Sequence, residues 1–300
     1  MSAPPVTARV SANGVEIAYE TFGDAADPPV LLAMGLGTQM LAWPDPMCQA
    51  LAERGHHVVR FDNRDVGLST HLEGTPPPRF VDALVRRRRL PYRIDDMGDD
   101  ALGLMDALGM PAAHLVGASM GGFIVQSIAL RAPERVRSLT LMMSSTGSRT
   151  VGQPRARLVS RLFRREVAER EGVMDAAVET FRAIGSQGYA LDEEYLRDLA
   201  ARSYDRAHDP AGYRRQLAAV TAQANRTRAL RGLRLPTVVL HGLHDPLISV
   251  TGGLALARTI PGARFVGFSG MGHDLPRELW PRFVDEIAGL AARADEEAVA

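Results

Sequence analysis

The chain has 300 residues, in which 35 arginines balance 35 acidic side chains and lysine is absent. The lack of lysine excludes a lysine Schiff base, a pyridoxal-phosphate anchor, a Ser-Lys dyad and a G-K-[ST] phosphate loop, and the single cysteine, Cys48, excludes an internal disulfide, a CxxC pair and a Cys-rich zinc site. Zero net charge argues against nucleic-acid or anionic-membrane binding, which draw on a basic surplus, so a small, roughly neutral partner is expected. The first twenty residues lack the basic-then-apolar pattern of a signal peptide, and no apolar run approaches the ~18 residues of a membrane span. A cytoplasmic location is the expectation.

In chain order, Val6 to Ser11 and Val15 to Thr21 flank Asn13-Gly14, a hairpin signal, so an antiparallel pair is expected first. Pro29 to Met34 and His57 to Phe61 are near-continuous apolar runs suited to a sheet covered on both faces. Between them Asp45 to Glu53 has helical spacing. Asp95 to Leu108 predicts a second helix, His114 to Val116 a buried strand, and Met120 onward another helix. Val136 to Met143, Thr237 to His241 and Ala263 to Phe268 continue the strand series, and a helix over Arg277 to Ala292 closes the chain. This alternation predicts an α/β fold.

One interval departs from it. From Gly147 to Gly232 there is no convincing strand, and amphipathic helices are expected at Arg161 to Glu169, Met174 to Ile184, Glu193 to Ser203 and Tyr213 to Arg228. The interval is too long for one crossover. The expected organisation is therefore a core of residues 1–146 and 232–300 with a helical cap inserted at 147–231.

Gly117-Ala118-Ser119-Met120-Gly121 lies directly between the strand ending at Val116 and the following helix. A serine on such a tight strand-to-helix turn presents its Oγ above the sheet, and glycines on either side leave room for the crossing backbone. G-x-S-x-G alone is a weak signal in a chain with 28 glycines, so its placement carries the inference. A serine hydroxyl needs a base and a carboxylate to orient that base. Asp245 follows the strand Thr237 to Leu240, and His273 follows the strand ending at Phe268, so both fall in loops at the carboxyl edge where α/β sheets gather their reactive groups. Ser119, Asp245 and His273 are thus the candidate catalytic residues.

Other histidines have plainer readings: His56 and His57 precede a buried strand, His114 begins one and His241 ends one. His244 adjoins Asp245 in a tight turn, and Asp274 adjoins His273, which makes each an awkward partner. An oxyanion hole needs N-H donors from Met120 and from a loop after an earlier strand. Met34-Gly35-Leu36-Gly37 supplies that loop, with Leu36 N-H as the expected donor, Gly37 as its neighbouring alternative, and a plain turn as the third reading. Gly37, Trp43, Leu247 and Met271 are candidates for an apolar pocket, with core packing an equal reading for the apolar ones. Arg86 to Arg89 reads as a solvated face, and Cys48 as a small core residue.

The segments MGLG, DNRDVGLS (62–69), HLVGASMGG, HGLHDPL and GMGHDLP together resemble the α/β-hydrolase superfamily over essentially the whole chain. Within it the likeness is to esterase-type members of the aclacinomycin methylesterase kind, which have a similar Met-Gly segment in place of His-Gly. The resemblance implies an α/β-hydrolase fold, with a mostly parallel sheet, an N-terminal antiparallel hairpin and an inserted helical cap. It further implies carboxylic ester hydrolysis through an acyl-enzyme, without metal or cofactor, and a bracing role for DNRDVGLS. The expected activity is that of a serine carboxylesterase. Serine in place of aspartate at 119 disfavours epoxide hydrolase and haloalkane dehalogenase chemistry, whereas cofactor-free perhydrolase and C-C bond hydrolase chemistry use the same three residues. A non-catalytic ligand sensor is the alternative of another class.

Overall fold

The computed structural model describes residues 5–78, 90–159, 167 and 169–299. Strand β1 (Ala8–Ala12) pairs antiparallel with β2 (Val15–Phe22) across Asn13-Gly14, whose φ angles of 49° and 75° are those of a primed hairpin turn. There follow β3 (Pro29–Ala33), α1 (Asp45–Ala52), β4 (His57–Phe61), α2 (Ile94–Ala107), β5 (Ala113–Ala118), α3 (Met120–Arg131) and β6 (Val136–Met142). After a helical stretch come β7 (Thr237–Gly242), a further helix at Val250–Thr259, β8 (Arg264–Phe268) and the terminal helix Trp280–Val299. Strands and helices thus alternate as in an α/β fold.

The eight strands form one sheet in the order β1-β2-β4-β3-β5-β6-β7-β8, antiparallel at β1-β2 and β2-β4 and parallel elsewhere. From β3 the chain crosses to β4 on one side and then returns to β5 on the other. This reversal opens a crevice at the carboxyl ends of β3 and β5, the place where open α/β sheets put their reactive groups.

The continuous apolar strands are explained by burial on both faces. Leu31, Ala33, Leu115, Leu139 and Val239 pack with Ile94, Met97 and Ile124 of α2 and α3. Their strand neighbours Val30, Leu32, Val116, Met142 and Leu240 pack against Trp43, Met47, Cys48 and Leu51 around α1, and against Trp280 and Phe283 of the terminal helix. Successive side chains of one strand therefore serve opposite layers. Among the described residues, no helix is long and apolar enough to cross a membrane.

Between β6 and β7 the described residues form helices and no strand: α4 (Ala156–Val159), α5 (Arg170–Ile184), α6 (Glu193–Arg206), α7 (Pro210–Thr221) and α8 (Thr227–Leu230). The helix expected over Tyr213 to Arg228 is two helices. Asn225 Oδ1 accepts the Thr227 N-H at 3.0 Å, and Arg226 N-H donates to Thr146 O at 2.8 Å, so the chain turns there and a new helix starts. Most of the helix expected at Arg161 to Glu169, and all of Arg86 to Arg89, lie outside the described residues. Numbered on in chain order, the helix at Val250–Thr259 is α9 and the terminal helix is α10. The paired glycines 252 and 253 obscured α9 in the sequence. They are packing residues: a Cβ on Gly253 would meet His241 Nδ1 at 2.5 Å, and one on Gly252 would meet the Ser145 Cβ at 2.9 Å.

Candidate active site

Ser119 links β5 to α3 with φ 55° and ψ −114°, a conformation that costs a non-glycine residue ~1–3 kcal/mol. Local bonds hold it there. Its N-H donates to Met142 O at 2.9 Å, and its carbonyl accepts from Gly122 N-H and Ser144 Oγ, both at 3.0 Å. The flanking glycines are required by close approach: a Cβ on Gly117 would lie 2.3 Å from Gly121 O, and one on Gly121 would lie 2.0 Å from Ala33 O. The turn can therefore sit directly against the end of β3, with the N-terminus of α3, the positive end of its dipole, beginning at the next residue, Met120.

Two loops from the next strands bring His273 and Asp245 to this serine. His273 Nε2 is 3.0 Å from Ser119 Oγ, and His273 Nδ1 is 2.7 Å from Asp245 Oδ2. The buried carboxylate can only accept, so Nδ1 carries the hydrogen and Nε2 is left to accept the serine proton. Asp245 is itself oriented, because its Oδ1 accepts the N-H groups of Leu247 at 2.8 Å and Ile248 at 2.9 Å. His273 is 9% exposed and Asp245 5%, so water competes little for either partner.

The loop after β3 runs past the serine. A Cβ on Gly35 would lie 3.3 Å from Ser119 Cβ and 3.7 Å from its Oγ. Of the two expected donors in this loop, Gly37 N-H is committed to Gln216 Oε1 at 2.8 Å. Trp43 and Met271 are wholly buried in the core layer below, whereas Gly37 and Leu247 retain exposure.

The DNRDVGLS turn braces this loop. Asp62 Oδ1 accepts Met40 N-H at 2.7 Å, Oδ2 accepts Leu68 N-H at 3.0 Å, and Asn63 Nδ2 donates to Met34 O at 3.1 Å. Burial pushes the Asp62 carboxyl up from its ordinary pKa, and Arg206 at 3.1 Å opposes that shift.

Residues that the sequence did not mark connect the helical segment to the site. His273 N-H donates to Ile184 O at 2.8 Å, and Gln187 and Gly188 N-H both donate to Gly270 O, at 3.0 and 2.9 Å. Ser186 Oγ accepts Gly272 N-H at 3.0 Å and donates to Asp274 Oδ1 at 2.6 Å, while Ser186 N-H reaches Asp274 Oδ2 at 3.1 Å. Asp274 is thereby occupied with Ser186, and burial raises its carboxyl pKa. Nothing in the spacing of Ser186 or Gln216 singles them out, because their partners lie in loops far away in sequence.

The remaining candidates fall elsewhere. His244 Nδ1 accepts Gly270 N-H at 3.1 Å, and His114 Nδ1 pairs with Ser138 Oγ at 2.9 Å. The Cys48 thiol is buried and pushed up to about 12, the opposite of an activated nucleophile. Asp65, His71 and Asp209 cluster with metal-like spacing. Their ligand atoms are already paired: Arg215 grips Asp65 at 2.7 and 2.8 Å and Asp209 at 3.0 Å, and His71 bonds Asp209 and Gly67 O. A guanidinium among the ligands disfavours a cation there, so the cluster is an ion-pair network.

Comparison with known proteins agrees with this architecture. A family model described as alpha/beta hydrolase fold matches residues 28–276. The chain is 30% identical to rhodomycin D methylesterase DauP of Streptomyces sp. (strain C5), covering 90% of this chain and 93% of that protein. It is 27% identical to 2-hydroxymuconate semialdehyde hydrolase of Pseudomonas sp. (strain CF600), covering 99% and 98%. The crystal structure of the enol-lactonase from Burkholderia xenovorans LB400 superposes with a TM-score of 0.71 at 24% identity, covering 95% of this chain and 100% of that one. With the family model spanning most of its length and a methylesterase relative at this identity, the chain belongs to the α/β hydrolase fold family.

Proposed function

We propose that this hydrolase is a serine carboxylesterase, with Ser119, His273 and Asp245 as its catalytic residues and residues 147–231 as a cap over the site. The observation that carries the reading is the unbroken chain Ser119 Oγ, His273, Asp245, at 3.0 and 2.7 Å, built on a backbone held at positive φ. Ser119 Oγ attacks the ester carbonyl carbon while its proton passes to His273 Nε2, and Asp245 stabilises the resulting imidazolium. Leu36 and Met120 N-H groups bind the oxyanion. Collapse of the tetrahedral intermediate breaks the ester C-O bond, and His273 gives its proton to the departing alcohol. A water deprotonated by His273 then attacks the acyl-enzyme, and the acid leaves with Ser119 restored.

The methylesterase relative supports a methyl ester as the substrate class. The test is turnover of p-nitrophenyl esters and of polycyclic methyl esters by the wild type and by Ser119→Ala. The expected result is hydrolysis by the wild type and a loss of several orders of magnitude in the variant. A second reading, C-C bond hydrolysis, is favoured by the likeness to 2-hydroxymuconate semialdehyde hydrolase. Silence on every ester with turnover of a vinylogous diketone favours that reading, and turnover of acetate with peroxide favours a perhydrolase. Ligand binding and full biological activity in Ser119→Ala favour a sensor.

A further inference from the structure

Gln216 lies in α7, in the second turn of the helix, and is completely buried. Its Oε1 accepts Gly37 N-H at 2.8 Å and its Nε2 donates to Arg64 O at 2.7 Å. An N-H can only donate and a carbonyl can only accept, so these partners fix which way the amide faces. Its own helix is pressed tightly to the core around it. Arg215 makes the paired contacts to Asp65, a Cβ on Gly212 would meet Asp65 O at 2.2 Å, and the Tyr213 ring occupies the space a Cβ on Gly37 would need.

Three consecutive peptides of the loop after β3 are relevant. The Met34-Gly35 peptide is held by Asn63 Nδ2, which donates to Met34 O at 3.1 Å. The Leu36-Gly37 peptide is held by Gln216 through Gly37 N-H, and Thr38 Oγ1 donates to its carbonyl at 3.1 Å. The peptide between them, Gly35-Leu36, carries the Leu36 N-H. Its carbonyl accepts Thr38 N-H at 3.3 Å. A trans peptide points its C=O and N-H in opposite directions, so that bond aims Leu36 N-H away from the turn. The donor peptide is therefore clamped from both sides, and one clamp comes from the helical segment rather than from the core.

We infer that Gln216 is a positioning residue for the oxyanion hole, through which α7 sets the direction of Leu36 N-H. The inference rests on the serine carboxylesterase reading above. An oxyanion donor is effective because it is already aimed at the position that the charged oxygen will occupy, so freeing the adjacent peptide weakens binding of the transition state more than binding of the ester.

The test compares wild type, Gln216→Met and Gln216→Glu on p-nitrophenyl acetate, together with inhibition by a trifluoromethyl ketone that forms a tetrahedral oxyanion adduct with a serine. In Gln216→Met, kcat is expected to fall ~10–100-fold with KM within ~3-fold, and the ketone inhibition constant to rise by the factor by which kcat/KM falls. The protonated carboxyl of Gln216→Glu can both accept from Gly37 N-H and donate to Arg64 O. Its activity relative to wild type at the same pH is therefore expected to recover as pH is lowered from about 8 to about 6. A folded Gln216→Met with wild-type kcat and ketone affinity overturns the inference, as does a loss of thermal stability alone. If Gln216→Met does not fold, a Gln216→Glu protein with pH-independent, wild-type-like kinetics overturns it. A wild type that neither hydrolyses esters nor is labelled at Ser119 by a fluorophosphonate overturns instead the carboxylesterase reading.

Discussion

His241 stands behind Asp245: its Nε2 is 3.6 Å from the carboxylate oxygen that His273 Nδ1 meets at 2.7 Å. Its own N-H goes to Ile248 O at 2.8 Å, and burial holds its pKa below the ordinary histidine value, so His241 is neutral and does not draw the carboxylate away from His273.

This arrangement makes the outcome of Asp245→Asn specific. The amide oxygen has to stay on the Leu247 and Ile248 N-H groups, which turns the NH2 toward His273 Nδ1. His273 then takes the tautomer with hydrogen on Nε2, which cannot accept the serine proton. Steady-state kinetics are expected to show kcat lowered ~10³–10⁴-fold with little change in KM. Full activity in this variant contradicts His273 as the base.

Ser186 ties the loop of His273 to the turn after α5. Removing its hydroxyl in Ser186→Ala leaves Gly272 N-H without its acceptor and deprives half-buried Asp274 of a donor. The expected results are ~10-fold lower kcat and ~1–3 kcal/mol lower unfolding free energy, read by kinetics and urea denaturation. Gly272→Ala is expected to be more severe, since its Cβ would lie 2.3 Å from Gly185 O.

Arg215 and the exposed arginines of the same helical segment are expected to behave differently. Arg215 pairs with fully buried Asp65, so Arg215→Met strands a buried carboxylate and is expected to cost ~3–5 kcal/mol in denaturant unfolding. Arg170 pairs with exposed Asp205, and Arg170→Gln is expected to leave the unfolding midpoint essentially unchanged.

Stability is expected to fall on acidification. Burial pushes the His114 pKa down from 6.5 to about 4, and it also lowers that of His241. The folded state therefore binds fewer protons than the unfolded chain at mildly acidic pH. The contribution of His114 is complete above pH 6.5 and is lost progressively as pH falls toward about 4, by up to ~3 kcal/mol. Denaturation midpoints measured across this range are expected to decline, and His114→Gln to flatten the decline. A midpoint independent of pH in the wild type contradicts the assignment.

The sequence by itself determined the fold and pointed to three side chains, Ser119, His273 and Asp245, that come within hydrogen-bond reach of one another. Strand runs buried on both faces, the Asn13-Gly14 turn and G-x-S-x-G between strand and helix are local patterns, and each follows from backbone geometry within a few residues. Even the distant His273 and Asp245 were legible, because strand ends in a parallel sheet converge on one edge. What only the tertiary structure decided is how those groups are held and aimed. Gln216 on Gly37 and Ser186 on Asp274 are contacts between segments brought together by packing, and a polar side chain in a helix or a turn carries no sequence mark of its eventual partner. The arginines of the helical segment show both cases. Arg206 and Arg215 join Asp62 and Asp65 in the buried turn after β4, while Arg170, Arg182 and Arg197 pair with carboxylates at the surface. Composition gives the same charge to all five, and only burial separates those that fasten the segment to the core from those that keep it solvated.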